Sequence, residues 1–381
     1  MRSRAEVGDR IIAFAVMIQP LLIIMQNVII GVFHMDAEST TVYRIILTAV
    51  PMVVAMVVSA MRNFPRFLAT FIIAIFLLLS TVVFFPQNLP YVVGQGLRFF
   101  LPVVVPSFLC LTTVKDYDVV EKTLYKISWF STALVLFYVF EFYSGTVSFE
   151  GYNMPFSYAC LLPMVALYSH RKIYDTVVVA ILLISVLAIG ARGPAVYFLI
   201  YVIFDLFQYK SKGRFIVLVL IAVLIFSLPT MYSWLSSSNI SSRTIRMLLE
   251  GNFMQDSGRN VIQAYFWSQL LEHPFTGIGL FGDRLKDGFA YCHNLFLEIL
   301  LNFGMIIGSL LLVFGIISLL VLYKKSGSEN RNRIFRYFCA MVLPLMTSGS
   351  YLMDSGFALF IGLCFLLRKK NVSQANVIAA R

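Results

Sequence analysis

Charged residues are scarce in this chain, and their scarcity excludes a soluble domain. Only 13% of its 381 residues are charged, 59% are hydrophobic, and the mean hydropathy is +0.84. A water-soluble fold of this length could not cover so much apolar surface with polar groups. Apolar runs of about 17–25 residues, the length that crosses the hydrocarbon core of a bilayer, recur along the chain. The composition therefore predicts an all-α polytopic membrane protein.

Cysteine is also scarce, and its spacing excludes the common metal and redox motifs. The five cysteines lie in or at the ends of apolar runs, without a CxxC pair, and are predicted to pack as small apolar groups. The sequence lacks a nucleophile elbow, a P-loop and metal-ligand spacing, so we expect a site without metal or cofactor. A GxGxxG match at 277–282 follows no strand and is assigned to turns rather than to dinucleotide binding.

Basic residues are missing from one set of the connections between the apolar runs. We predict about twelve transmembrane helices, near 11–33, 43–61, 67–85, 91–112, 127–144, 154–169, 174–190, 194–209, 214–229, 292–323, 334–349 and 353–367. Alternate connections and the two termini hold 22 of the 30 Lys and Arg residues. The opposite connections that hold none lie near 34–42, 86–90, 145–153 and 350–353. Because basic loops stay cytoplasmic, both termini are predicted to be cytoplasmic, and the net charge of +11 indicates orientation, not a nucleic-acid partner.

One long hydrophilic stretch interrupts the apolar pattern and divides the chain into three predicted regions. These are a membrane bundle of about nine spans over 1–229, a large external loop over 230–291, and a C-terminal bundle of about three spans over 292–381. Apolar residues between Val261 and Leu270 recur at helical spacing, which predicts an amphipathic helix on the membrane surface. His273 and Pro274 end that helix, a glycine-rich turn follows, and Gly304 is predicted to kink the next helix.

Arginines on the external side break the charge rule and are the first candidates for function. Arg192 lies in the tight turn GARGP, and Arg259 lies near the start of the amphipathic helix. Arginine suits phosphate because its planar fork donates two parallel hydrogen bonds and keeps its charge; a lipid headgroup contact is the alternative for Arg192. Arg98 lies roughly 10 Å inside a span, at 1.5 Å per residue, where a charge needs a polar cavity or a partner.

His293 is the second kind of candidate, because it opens a helix that returns into the membrane. Asn294 follows it, and Glu298 lies about one helical turn further on. A neutral imidazole at the membrane surface would act as a general base near pH 7, whereas packing is the alternative for a lone histidine. Glu298 is expected to orient either His293 or another basic group.

The order of these elements resembles a bacterial membrane family. ARG at 191–193 is followed by SGR at 257–259, HPFTGIG at 273–279 and HNLFLEIL at 293–300. Together they resemble the O-antigen polymerase and ligase superfamily of bacterial inner membranes, and most closely the Wzy-type polymerases of O-antigen and capsule assembly. The resemblance covers about 190–308 of the chain.

The resemblance implies a GT-C-like glycosyltransferase that works on the periplasmic face without metal or nucleotide sugar. It would transfer a growing polysaccharide from undecaprenyl pyrophosphate to the next lipid-linked repeat unit, with inversion at the anomeric carbon. Carried over by position, Arg192 and Arg259 would hold the donor pyrophosphate, and His293 would activate the acceptor hydroxyl. Additional candidates for the site are Arg98, Arg243, Arg246, Asn294 and Glu298. The expected partners are the lipid-linked donor and acceptor, membrane lipid and, as a further candidate, a chain-length regulator protein.

Two alternatives stay open at the level of the sequence. An O-antigen ligase, which transfers a finished chain to lipid A-core, would share the same motifs. A flippase for lipid-linked sugars would also have many spans, but transporters place their charges near the middle of the membrane at the interface of repeated halves. Here the charges concentrate at one face and no internal repeat is found.

Overall fold

The computed structural model of the protein describes residues 4–147, 153–189, 191–208, 230, 233, 258–284 and 291–379. Within these ranges every regular element is helical and no strand occurs. The all-α prediction is therefore confirmed for the described part of the chain. The predicted span at 214–229 and the candidates Arg243 and Arg246 lie outside the described residues.

The helices follow one another along the described ranges, and we number them in chain order. They are α1 Arg4–Met17, α2 Gln19–Phe33, α3 Ala37–Arg62, α4 Phe64–Phe84, α5 Pro86–Thr113, α6 Tyr117–Tyr143, α7 Met154–Ser169, α8 Ile173–Ile189, α9 Arg192–Gln208, α10 Arg259–Glu272, α11 Leu295–Lys325, α12 Ser328–Tyr337 and α13 Ser355–Ala379.

Five helices in the described part of the chain are long and apolar enough to cross a membrane: α3, α4, α5, α6 and α11. The pair α1 and α2 would form a sixth span, bent by 46°. Pro20 lies at the start of α2, where its missing N–H and its ring favour such a break. Helices α7, α8 and α13 are apolar but shorter. The protein is therefore membrane-embedded, while the count of about twelve spans stays a prediction.

The structure differs from the predicted span at 334–349. The polar helix α12 ends at Tyr337, and two short helical turns, Phe338–Val342 and Leu343–Met346, follow it. Pro344 starts the second turn, and Gly349 adopts φ +106°, a conformation that favours glycine. The local backbone preferences thus break the apolar run, which hydropathy alone represents as one helix.

The chain forms two compact units, and the candidate residues are divided between them. The first unit contains Met1–Ile12, Pro51–Tyr117 and Asp256–Arg381; the second contains Ala13–Val50 and Asp118–Gln255. In the second unit, α7 is almost completely buried and contacts α2, α8 and α9. Asn153 caps α7 by accepting a hydrogen bond from the Phe156 N–H at 3.1 Å.

Two apolar clusters of the first unit hold the segments that carry the candidate site. In one, Phe266 and Leu270 of α10 pack with Cys292 and with Leu297 and Leu301 of α11. In the other, Leu280 and Phe281 pack against Leu78, Val92 and Leu352. Burial of this apolar surface, at about 25 cal/mol per Å², holds Leu280, Phe281 and Cys292 in place.

Candidate functional site

Helix α10 forms where the hydrophobic spacing predicts it. It runs from Arg259 to Glu272, and Gly258 occupies its N-terminal boundary with φ +82°. Phe266 and Leu270 are buried, whereas Val261 and Trp267 are exposed on the outer face. The helix ends at the predicted place, because His273 leaves the helical conformation before Pro274. The predicted helix is thus present, with Arg259 as its first residue, whereas Val261 of its predicted apolar face is exposed; its place on the membrane surface stays a prediction.

The HPFTGIG segment packs into a break in α11. Gly304 interrupts that helix with φ +76° and ψ +170°, which confirms the predicted kink. The Ile278 N–H donates to the Leu301 carbonyl at 2.7 Å, and the Met305 N–H donates to the Pro274 carbonyl at 2.7 Å. The loop therefore satisfies backbone groups that an unbroken helix would pair with each other.

A second anchor fixes the glycine-rich turn from the other side. The side-chain amide of Asn88 donates to the carbonyls of Ile278 at 2.9 Å and Leu280 at 3.0 Å. Both bonds join α5 to a loop about 190 residues later in the chain, at separations of 190 and 192 residues. The turns at 277–282 thus serve the packing of the loop, in agreement with the interpretation of the GxGxxG match.

Arg284 is buried at the end of this loop and is surrounded by polar groups. Its Nε donates to Gln95 Oε1 at 2.9 Å, and its Nη1 lies 3.4 Å from Glu298 Oε1. It also pairs with the Asp283 carboxylate and donates to Ser350 Oγ, which in turn donates to Glu298. Burial alone would lower the pKa of Arg284, but Asp283 and Glu298 together outweigh it and raise the pKa. This guanidinium therefore keeps its charge.

Glu298 accordingly orients a basic group, and that group is Arg284. Besides Arg284 and Ser350, the Glu298 carboxylate accepts the Tyr351 N–H at 3.2 Å. The Tyr351 hydroxyl accepts from the Asn302 side chain at 2.7 Å, which extends the network along α11. The sequence leaves open whether Glu298 orients His293 or another basic group, and the structure supports another basic group.

His293 lies immediately before α11 in an uncommon backbone conformation. Its φ is +57°, in the left-handed region that non-glycine residues seldom adopt. Asn294 caps α11, since its side-chain oxygen accepts the N–H groups of Phe296 at 3.0 Å and Leu297 at 3.2 Å. The Tyr291 ring packs on the imidazole, with 4.1 Å between the ring centroids. Nδ1 of His293 is buried and has no hydrogen-bond partner among the described residues.

The electrostatic environment keeps His293 neutral. Burial lowers its pKa below the usual 6.5, and the positive charge of Arg259 lowers it further, while Asp283 opposes the shift. Helix α10, which begins at Arg259, packs through Phe266 and Leu270 against Cys292, the residue before His293, and its first charge acts on the imidazole. Arg259 itself is half-buried, and within the described ranges it forms neither an ion pair nor a hydrogen bond through its side chain.

The structure brings only some of the predicted residues together. Arg259, His293, Asn294 and Glu298 all lie in the first unit, around the contact between α10 and α11. Arg98 also belongs to this unit, but its side chain is exposed on α5.

Arg192 belongs to the second unit, where it is the first residue of α9 and is half-buried. A Cβ atom on its neighbour Gly193 would lie 2.5 Å from the Tyr158 hydroxyl oxygen. Packing against Tyr158 thus accounts for the absence of a side chain at this position.

Asp283, Arg284 and Ser350 are polar residues of the site that the sequence analysis does not assign. A usable signal was present, because Asp283 and Arg284 are adjacent charges in a chain with very few charges. Buried charges in an apolar protein must be paired. Glu298, in the next helix, was the carboxylate available for the pairing.

The fold and site define an all-helical membrane protein with a polar site at the contact between α10 and the start of α11. Residues 177–313 match the family model described as O-antigen ligase. This match, over about a third of the chain, supports the resemblance to the O-antigen polymerase and ligase superfamily. No curated protein and no solved structure matches the chain. The matched segment contains Arg192, Arg259, Arg284, His293 and Glu298.

Proposed function

We propose that this protein is a repeat-unit polymerase, a metal-independent glycosyltransferase of the GT-C type. It would move a growing polysaccharide from undecaprenyl pyrophosphate to the next lipid-linked repeat unit, on the periplasmic side of the bacterial inner membrane. The observation that carries the proposal is the packing of α10, which begins at Arg259, against Cys292 and the start of α11 beside His293, whose imidazole feels the charge of Arg259. The superfamily match over residues 177–313 supports the class of reaction.

The chemistry divides between these two side chains. The acceptor hydroxyl oxygen would attack the anomeric carbon of the donor sugar, the bond from that carbon to the pyrophosphate oxygen would break, and the electron pair would leave with the pyrophosphate. His293 would take the hydroxyl proton, which requires the neutral imidazole that its lowered pKa supplies. Arg259 would stabilise the charge that develops on the leaving group.

Arg192 is proposed as the second pyrophosphate ligand, in keeping with the resemblance of its ARG turn. Arg98 stays a proposed contributor to the anionic region. Arg243 and Arg246, in the predicted loop, are proposed to contribute as well. We propose three regions, the bundles over 1–229 and 292–381 and the external loop over 230–291, with both termini in the cytoplasm and the site facing the periplasm.

The test uses the full-length protein in lipid nanodiscs with lipid-linked repeat units as the sole sugar substrate. A polymerase is expected to convert them into a ladder of longer lipid-linked chains on a gel. A second reaction also contains a lipid A-core acceptor for a ligase. Repeat units that stay unchanged in both reactions would contradict polymerase and ligase activity alike.

The second candidate is the ligase, which the description of the matching family as O-antigen ligase favours. Disruption of the gene distinguishes the two candidates in the surface polysaccharide of the host. Loss of a polymerase leaves single repeat units attached to the lipid A-core, whereas loss of a ligase removes all attachment. The proposal of a polymerase requires the first result.

A further inference from the structure

Asp283 and Arg284 form a buried pair that the proposed chemistry does not use. Arg284 is 5% exposed and Asp283 is fully buried, and neither side chain is open to a substrate. The contacts of Arg284 with Gln95, Glu298 and Ser350 hold the guanidinium from three other segments of the chain. A buried pair of this kind costs desolvation, so its presence next to a candidate site calls for a physical reason.

The second carboxylate oxygen of Asp283 binds the backbone next to His293. Asp283 Oδ2 accepts the Cys292 N–H at 3.1 Å, and Cys292 directly precedes His293. Tyr291, one residue earlier, is held in turn, because its hydroxyl accepts the Gly349 N–H at 3.2 Å. Both residues before His293 are therefore tied to the segments around the Arg284 network.

These contacts explain how His293 keeps its left-handed backbone. A non-glycine residue in that region is strained and persists only where its surroundings fix it. Asp283 fixes the amide on one side of His293, and the Asn294 cap fixes the start of α11 on the other. A shift of this backbone would therefore move the imidazole that it carries.

We propose that Asp283, locked in place by Arg284, is a positioning residue for His293. It holds the Cys292 amide so that the imidazole faces the acceptor, and its carboxylate sets the charge environment of the ring. The role in transfer rests on the proposed function, whereas the effect of Asp283 on His293 does not.

The charged groups around His293 make this role measurable. Among the described residues, Arg259 on α10 and Asp283 on the loop are the charges that act on the imidazole, with opposite signs. Arg284 pairs with Asp283, and Glu298 contacts Arg284 in turn. The neighbours of His293 in the sequence are the Tyr291 ring, which packs on the imidazole, and the Cys292 thiol. Removing the Asp283 charge is therefore expected to lower the pKa of His293.

The experiment is a titration of the full-length protein in nanodiscs, with histidine-selective 15N labelling. The chain has 4 histidines, so the spectrum is simple and His293→Ala assigns the signal. Asp283→Asn removes the charge, and with it the ion pair with Arg284 that fixes the group accepting the Cys292 N–H. We expect the pKa of His293 to fall, and the rate of sugar transfer to fall about 10- to 100-fold, as for loss of a positioning contact. Asp36→Asn, in an exposed turn, is the control and should change neither value.

Two results would overturn the positioning role. One is an unchanged His293 titration in Asp283→Asn; the other is a normal transfer rate. If Asp283→Asn does not accumulate in membranes, Ser350→Ala tests the same network more gently by removing the hydroxyl between Arg284 and Glu298. A several-fold loss of rate with a displaced His293 signal is then expected, and an unchanged rate and signal contradict the proposal. If the wild-type protein transfers no sugar, the proposed function fails, but the titration still decides the relation of Asp283 to His293.

Discussion

Gly277 and Gly304, on two separate segments, lie in direct backbone contact. A Cβ atom on Gly277 would lie 2.7 Å from the Gly304 nitrogen, and one on Gly304 would lie 2.5 Å from the Phe275 carbonyl carbon. Both glycines also have positive φ angles, +66° and +76°. The loop before His293 and the break in α11 therefore fit together only because neither position carries a side chain.

Alanine at either glycine should prevent this contact. We expect Gly277→Ala and Gly304→Ala each to destabilise the protein by about 2 kcal/mol or more, since the strain of a left-handed residue adds to a backbone clash. Thermal unfolding of the purified protein in detergent measures the effect. Gly315→Ala, on the same helix α11 with no atom near its Cβ position, is the matched control. It should leave stability unchanged or raise it by about 0.5–1 kcal/mol; equal losses at all three positions would contradict the account.

The buried network around Arg284 should be sensitive to the loss of one charge. Glu298→Gln removes one partner of Arg284 while Asp283 still pairs with it, so we expect a loss of about 1–3 kcal/mol, as for a buried polar group that loses a hydrogen-bond partner. We expect a drop in unfolding temperature, measured in the same detergent assay. Glu329→Gln breaks the exposed pair with Arg333, in which the Glu329 side chain is 75% exposed, and should have little effect. Similar stability of the two variants would show that Arg284 does not depend on Glu298.

Arg259 should control the protonation of His293. Because the positive charge of Arg259 lowers the pKa of His293, Arg259→Gln is expected to raise that pKa. The neutral imidazole would then appear only at higher pH, and the acid limb of the pH–activity profile would move upward with it. NMR titration of labelled histidine gives the pKa directly. Arg10 pairs with Glu6 on α1, so Arg10→Gln is the control and should leave the pKa of His293 unchanged. An unchanged pKa in Arg259→Gln would show that the charge of Arg259 does not act on His293.

Arg192 tests whether the ARG turn binds phosphate. Arg192→Lys keeps the positive charge but loses the planar fork that donates two parallel hydrogen bonds to phosphate. We expect the apparent affinity for the lipid pyrophosphate donor to fall about tenfold while the protein remains in the membrane. Wild-type transfer kinetics in this variant would favour a lipid headgroup contact for Arg192.

The sequence predicts the elements of the site better than their interactions. The helix at 259–272, its end at His273 and the kink at Gly304 follow from local preferences of single residues, and these predictions are confirmed. The bond between Ile278 and Leu301 and the pairing of Arg284 with Glu298 depend on segments that only the folded chain brings together. The break at 338–349 was missed for a related reason: hydropathy measures how apolar a segment is but does not measure the backbone geometry around Pro344 and Gly349.

The central claim is tested most directly by sugar transfer in His293→Ala and Arg259→Ala, measured with purified full-length protein and lipid-linked repeat units. We expect His293→Ala to lose about 10²–10⁴-fold in rate, as for a general base, and Arg259→Ala to lose about 10²-fold or more, as for a group that stabilises the leaving pyrophosphate. Both proteins should fold and insert like the wild type. Full-length polysaccharide from both variants at the wild-type rate would contradict the account.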